Sequence, residues 1–404
     1  MTASIVDLSL QHLERCLRVD NAPEVVTALQ QAMPGWPMTV QAAHGASPAT
    51  YIYRDAEGLW QGSFNELNEF TLPSAASAAC SLVGELISQR LKADHTILGL
   101  HCGSVEINGQ LAVFPQSSRA GKSTLTVAFA AAGYRVFGDD VLGLTAQGEG
   151  MAMGVAPRLR LPLPETFSTE FVTYSERYAG PEDERYRFVV PPATGLARYQ
   201  ETCPIGTIVL LERGPHILEA EVVALAPGEA LLQLLCQNFA ASDTPNEVLL
   251  ERLLPLVAQV SCVLLRYNEP LAGARHLAQV LQGVQSEQPP LLQPASALQC
   301  APADIVTPAA SVLSNIWMPA AQVSVYPVGD ELFLIQTQTG AIHRLNTSGA
   351  LAWQLLQHEP LSAEAISEVL AMHFSMPKAT LKADIQQLLA ALMHAELIVK
   401  ATLP

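Results

Sequence analysis

The residues of this chain best suited to chemistry lie between positions 101 and 140. Gly121-Lys122-Ser123-Thr124 stands before an Ala-rich stretch that runs to Gly133, and Asp139-Asp140 follows the apolar pair Val136-Phe137. Each part suits phosphate. Backbone N–H groups of such a loop and the positive end of the helix behind it meet phosphate oxygens. The lysine reaches the β/γ-phosphates, and the hydroxyl of Ser123 completes a Mg²⁺ shell. An acid at the end of the neighbouring strand can hold that magnesium, and a carboxylate within about 2.6–3.2 Å of an alcohol can take its proton. The nucleotide-contacting set is therefore Ser118, Arg119, Ala120, Gly121, Lys122, Ser123 and Thr124, with Ser123 and Asp139 as metal ligands.

The elements that must position these groups are legible around them. Val105 and Ile107 alternate with polar residues up to Asn108-Gly109, whose tolerance of positive φ suits a two-residue hairpin turn, and Leu111 to Phe114 form the return strand. A loop, the Gly-Lys-Ser, a helix ending near Gly133 and a strand from Arg135 to Phe137 follow. Strand, loop, helix, strand, acid is the P-loop order. The loop departs from GxxxxGKS, because Gln116 stands where the first glycine falls and Arg119 where a small residue is common. A non-glycine residue forced to positive φ costs about 1 kcal/mol, so the loop changes shape or carries strain. Arg119 either adds charge to the phosphates or is a solvated loop arginine.

Around this segment the chain is long and apolar. Its 404 residues suggest two or three domains, and 49% apolar against 15% charged residues can fill sizeable cores. Thirty-eight acidic against 22 basic residues, net −16, speak against nucleic acid or an anionic membrane as the main partner, while a local basic pocket stays open. The seven cysteines are scattered without a CxxC pair, and no stretch is apolar over about 18 residues, so a reduced, cytoplasmic protein is expected. Residues 1–95 read as an α+β region with helices near Leu8 to Leu17 and Ser74 to Leu91, and residues 96–285 as an α/β layer domain. Residues 286–310, rich in Pro, Ala, Gln and Ser, read as a linker, and 311–404 as a small C-terminal module.

The stretch from His101 through the hairpin, Ser118, Gly121-Lys122-Ser123 and Gly133-Tyr134 to Asp139-Asp140 resembles the HPr kinase/phosphorylase family and its relatives. The likeness is strongest over 98–145 and extends weakly to about residue 283. It implies a P-loop core related to phosphoenolpyruvate carboxykinases and ATP-dependent phosphorylation of a serine hydroxyl. Carried over by position, one of Asp139 and Asp140 is the base toward the acceptor and the other supports Mg²⁺, with His101 close to this acid and Lys122 on the phosphates. Arg160 matches the arginine of the family's later acidic motif, whose glutamate has no counterpart here.

In the C-terminal module, strands around 322–326, 331–336 and 341–345 precede three helices, Thr347 to Leu356, Ser362 to Phe374 and Lys378 to Ala395, a winged-helix arrangement. Four Lys/Arg against seven Asp/Glu leave it without a DNA-binding face. The pattern Thr339-Gly340, Leu345-Asn346, Gly349-Ala350 and Trp353 resembles the PqqD-type domain, which recognises leader peptides of ribosomally made, modified peptides. That resemblance implies a leader added as a strand beside the third strand, against the last helix, near Ile342, His343, Arg344, Leu381, Ile385 and Leu388.

Together these features imply an ATP- and Mg²⁺-dependent kinase for a serine or threonine of a ribosomal precursor peptide, with leader and core both bound. The linker would raise the effective concentration of the core to roughly millimolar. The alternative is a non-catalytic, nucleotide-gated protein that presents the precursor to another modifying enzyme. A kinase for a small metabolite is a third possibility. The oligomeric state is not legible.

Overall fold

Alternating apolar residues open the chain as a hairpin. The computed structural model describes residues 5–63, 69–117, 119–240, 244–283 and 315–401. Strands β1 (Ile5–Leu10) and β2 (Leu13–Asp20) replace the helix expected near Leu8 to Leu17. Leu8 and Leu10 face the core with period two, and His12 (φ 68°) and Arg15 (φ 46°) take left-handed conformations that an α-helix cannot continue through. Helix α1 (Pro23–Ala32) and strands β3 (Met38–Ala42), β4 (Thr50–Arg54), β5 (Leu59–Ser63) and β6 (Phe70–Leu72) complete a six-stranded sheet of order β3-β1-β2-β4-β5-β6. Helix α2 (Ala75–Ala93) packs on it, capped by Ser74 through the Ser77 N–H (2.9 Å).

A nine-stranded sheet carries the hairpin and the loop behind it. Its strands are β7 (Leu98–Leu100), β8 (Gly103–Ile107), β9 (Gln110–Phe114), β10 (Arg135–Gly138), β11 (Leu142–Leu144), β12 (Glu149–Met151), β16 (Thr202–Arg213), β17 (Glu221–Ala224) and β18 (Ser261–Tyr267). Helix α3 (Lys122–Ala131) follows β9, and Asn108 (φ 52°) and Gly109 (φ 74°) make the expected turn. The long strand β16 runs parallel to β9 and β18. Strands β13 (Arg158–Arg160), β14 (Ala179–Glu182) and β15 (Tyr186–Val189), with α4 (Thr169–Arg177), form a small sheet beside α3. Helices α5 (Pro227–Cys236), α6 (Asn246–Gln259) and α7 (Pro270–Gly283) close this part of the chain.

The described residues divide into two units: up to 225, 232–240 and 259–283 in the first, and 226–231, 244–258 and 315–401 in the second. This division differs from the one expected, since the N-terminal region joins the α/β layers while part of α5 and nearly all of α6 group with the C-terminal module. The expected linker 286–310 lies outside the described residues.

The second unit contains β19 (Ile316–Pro319), β20 (Val323–Val328), β21 (Glu331–Gln336), β22 (Ala341–Leu345), α8 (Thr347–His358), β23 (Leu361–Ser362), α9 (Ala363–Phe374), α10 (Lys378–His394) and β24 (Ile398–Lys400). The expected three strands and three helices are there, with a second small sheet, β23-β19-β24, added. Asn346 and Ser362 cap α8 and α9. The sheet β20-β21-β22 needs burial on both faces, which is why the helices before β18 belong here. Leu332 and Leu334 join the core of α8, α9 and α10, whereas Phe333 and Ile335, equally buried, point the other way. On that side a Cβ at Gly228 would lie 3.3 Å from the Phe333 ring, and Asn246 and Glu247 bond Gly340 and Ser324.

Candidate functional site

Gly121 opens α3 in the left-handed conformation (φ 101°, ψ 10°), and a Cβ there would meet the Tyr267 hydroxyl at 2.9 Å, so both backbone and space require glycine. Lys122 is buried, and its ammonium donates to the carbonyls of Gln116 and Ser117. Burial lowers its pKa, while the charges of Asp140 and Asp139 hold it up. Gln116 carries no positive φ. Its amide instead pairs with Leu211 in both directions, donating to the carbonyl at 3.0 Å and accepting the N–H at 2.8 Å, so this residue prolongs the sheet where a glycine was expected. The unfavourable backbone falls on Arg119 (φ 72°), whose side chain is exposed. Ser118 lies outside the described residues.

Strand β10 ends at Gly138, where a Cβ would lie 2.6 Å from the Val141 carbonyl, and this tight turn delivers the two aspartates. Asp139 is buried. Its Oδ2 accepts the Arg158 N–H at 3.0 Å, and its Oδ1 has no partner. Burial, then the adjacent Asp140 charge, push its pKa up to about 7, against the pull of the Arg158 N–H and the Ser123 hydroxyl. Asp140 (φ 68°) reaches into the cleft with Oδ2 3.0 Å from Arg158 Nη2 and Oδ1 3.9 Å from His101 Nε2. His101 follows β7, its N–H held by the Gln237 carbonyl (2.9 Å), and burial lowers the pKa of its ring.

These groups line one cleft of about 590 Å³, which gathers His101, Arg119, Gly121, Lys122, Ser123, Thr124, Asp139 and Asp140. Ala120 belongs to the same loop but is not among the lining residues. Three further arginines enter the cleft, Arg158, Arg160 and Arg213, so five cations converge in a chain of net charge −16. The resemblance gives a role to Arg160 alone, yet Arg158 touches both aspartates. The Arg158-Leu159-Arg160 alternation was the available signal, because with Leu159 in the core both arginines must face away from it. Arg158 also lies over the Tyr186 ring (4.9 Å) and Arg213 over Phe167 (4.7 Å), stacking that holds each guanidinium in place. Among the described residues no three His, Cys, Asp or Glu side chains gather into a metal cage. Ser123 and Asp139, with its unpartnered oxygen, fit the modest protein share of a magnesium site.

In the second unit, β22 is an edge strand, and among the described residues no strand pairs with its outer side. The six residues expected at a leader site do not share one face. His343 lies opposite Leu334, on the helix side, where burial lowers its pKa. Ile342 and Arg344 face the other way. Arg344 is bound there by Glu331 (2.9 Å) and Glu229. Leu381 and Ile385 are core residues, and Leu388 is half-buried at the margin of that core. Strand alternation makes this split unavoidable.

Residues 331–398 match the family model of Coenzyme PQQ synthesis protein D (PqqD). The chain thus carries a PqqD domain at its C-terminal end. No curated protein matches the chain. Among solved structures, TbiB1 in complex with the TbiA(beta) leader peptide is similar over 21% of this chain and 98% of that one, with 26% identity and a TM-score of 0.20. The Hpr(Ser) kinase/phosphatase from Coxiella burnetii is similar over 46% of this chain and 99% of that one, with 12% identity and a TM-score of 0.25. Among the described residues no helix is long and apolar enough to cross a membrane.

Proposed function

We propose that this protein is an ATP- and Mg²⁺-dependent kinase that phosphorylates a serine or threonine of a ribosomally made precursor peptide, whose leader lies along the outer edge of β22. The observation that carries the reading is the convergence of Lys122, Ser123, Asp139, Asp140 and His101 on one cationic cleft. The PqqD domain supplies the reason for a peptide acceptor.

Each residue has a part. Lys122, Arg119 and Arg213 draw the phosphates to the start of α3, whose first N–H groups have no partner within the helix. Ser123 and Asp139 would hold Mg²⁺, which when bound neutralises charge on the phosphate oxygens. Asp140 faces the cleft, aimed by Arg158 and beside His101, and takes the proton of the acceptor hydroxyl. The serine oxygen bonds to the γ-phosphorus, the bond from that phosphorus to the β–γ bridging oxygen breaks, and ADP leaves. Incubation of the purified chain with γ-labelled ATP and the precursor tests this: label on the peptide supports it, and an unlabelled peptide under saturating nucleotide defeats it.

A second reading, a nucleotide-gated presenter without catalysis, is favoured by one contact. Within the cleft, the Lys122 ammonium is already engaged by the carbonyls of Gln116 and Ser117. Nucleotide-dependent leader binding with no label on the peptide would select it.

A further inference from the structure

Helix α2 carries a mid-helix glycine that its own packing does not require. A Cβ at Gly84 would meet nothing within 4 Å, and glycine in a helix interior weakens it relative to alanine. Cys80, Val83, Gly84 and Ile87 fall at helical spacing, and all four line the cleft that holds Lys122 and Asp139. The cleft thus has two unlike walls. Ile87 and Val83 pack with Val141 and Val155 in one core cluster, while the wall of α3 and Phe167 belongs to another. Cations gather at the loop, and the α2 stripe offers no charge. Asp139, whose buried Oδ1 has no hydrogen-bond partner, lines the same cleft.

We propose that the α2 wall is the acceptor-side subsite, receiving an aliphatic or aromatic side chain on the residue next to the phosphorylated hydroxyl, with Gly84 keeping the space for it. The proposal rests on the kinase reading above. With the phosphates on the cationic loop, the acceptor oxygen must come to the Asp139-Asp140 turn, which leads directly into Val141 on the apolar wall. Cys80, on that wall, lies beside Arg158, which in turn pairs with Asp140 at 3.0 Å. An extended peptide advances about 3.3 Å per residue, so the neighbours of the acceptor run over the stripe. A cationic neighbour would lose water there and meet the like charge of Arg158.

The test uses the full chain, a non-hydrolysable ATP analogue with magnesium, and short fluorescent peptides holding one serine flanked by Ala, Leu, Phe, Lys or Glu. Leu- or Phe-flanked peptides are expected to bind at least about fivefold more tightly than Lys-flanked ones, with the Glu-flanked peptide reporting any pairing with the cleft arginines. Gly84→Ala should raise Tm by about 1–3 °C, which shows that the fold tolerates the site. Gly84→Leu should weaken the Phe-flanked peptide about tenfold and leave the affinity for the nucleotide analogue within about twofold. Equal binding of all peptides, no binding at millimolar concentration, or a Gly84→Leu loss confined to the nucleotide would each overturn the proposal. The same peptides with γ-labelled ATP separate the two claims. Apolar preference without label sinks the kinase and keeps the subsite, whereas label without preference does the reverse.

Discussion

Two buried aspartates of this chain live in opposite surroundings. Asp7, in the N-terminal sheet, accepts from Arg18 at 2.7 and 3.0 Å, from Arg15 at 3.1 Å and from the His44 N–H at 3.3 Å, and the Arg18 hydrogen bond leads in holding its pKa down to about 2. Asp139 has one backbone donor, the Ser123 hydroxyl as a further pull, an Oδ1 without a hydrogen-bond partner and a like charge beside it, and burial drives its pKa up to about 7. Both side chains are screened from direct contact with water, but Asp139 lies deeper in the protein, so desolvation weighs more on it. The first is satisfied and serves the fold, while the second is left wanting a cation or proton and marks the site.

The same substitution should therefore have opposite consequences at the two positions. Asp139→Asn is expected to cut phosphoryl transfer at least about 10³-fold while Tm stays level or rises, because a neutral amide removes a charge that the fold does not pair. Lys122→Ala should lose transfer to a similar extent. A labelled-ATP assay beside a melting curve checks both, and near-normal transfer by either variant would refute the catalytic assignment.

Asp7→Asn should leave chemistry alone and cost about 2–3 kcal/mol of stability at neutral pH. The sign follows from the lowered pKa. The contribution is present above the unfolded carboxylate value near 4 and is lost as pH falls through about 2, so the gap between wild type and variant should close across that window in denaturant titrations. A constant gap would mean that the ion cluster is not its source.

A smaller effect is expected from Arg158→Ala, which frees Asp140 and removes the cation over Tyr186. A roughly 10- to 100-fold fall in kcat with little change in nucleotide affinity would fit its place between the aspartates, and a change confined to nucleotide affinity would move Arg158 to the phosphates. Smallest of all, Leu388→Ala should weaken leader binding about tenfold, or about 1.4 kcal/mol, with a lesser effect on Tm. Equal loss in both would leave Leu388 as a core residue only.

Much of the segment that forms the cleft was legible in the linear order, because its signals are local. Asn108-Gly109 and Gly121 allow backbone conformations that few other residues reach, so turn and helix start follow from residue type. Three strands and three helices of the C-terminal module were equally plain, with caps at Asn346 and Ser362, whereas the small sheet β23-β19-β24 was not. The stretch from Leu8 to Leu17 was misread, since short apolar runs fit either period and only the pairing of β1 with β2 and β3 decides between them.

What only the tertiary structure decided has a common cause: it depends on groups far apart in the chain. The role of Gln116 is set by Leu211, 95 positions away, and that of Asp140 by Arg158 and His101. The grouping of 244–258 with the C-terminal module follows from the second face of its sheet, which must be buried. The difference between Asp7 and Asp139 is of the same kind. Residue type makes each a carboxylate, but desolvation and the count of donors around it are properties of the packed chain, and they alone determine which aspartate holds the fold and which is left open for chemistry.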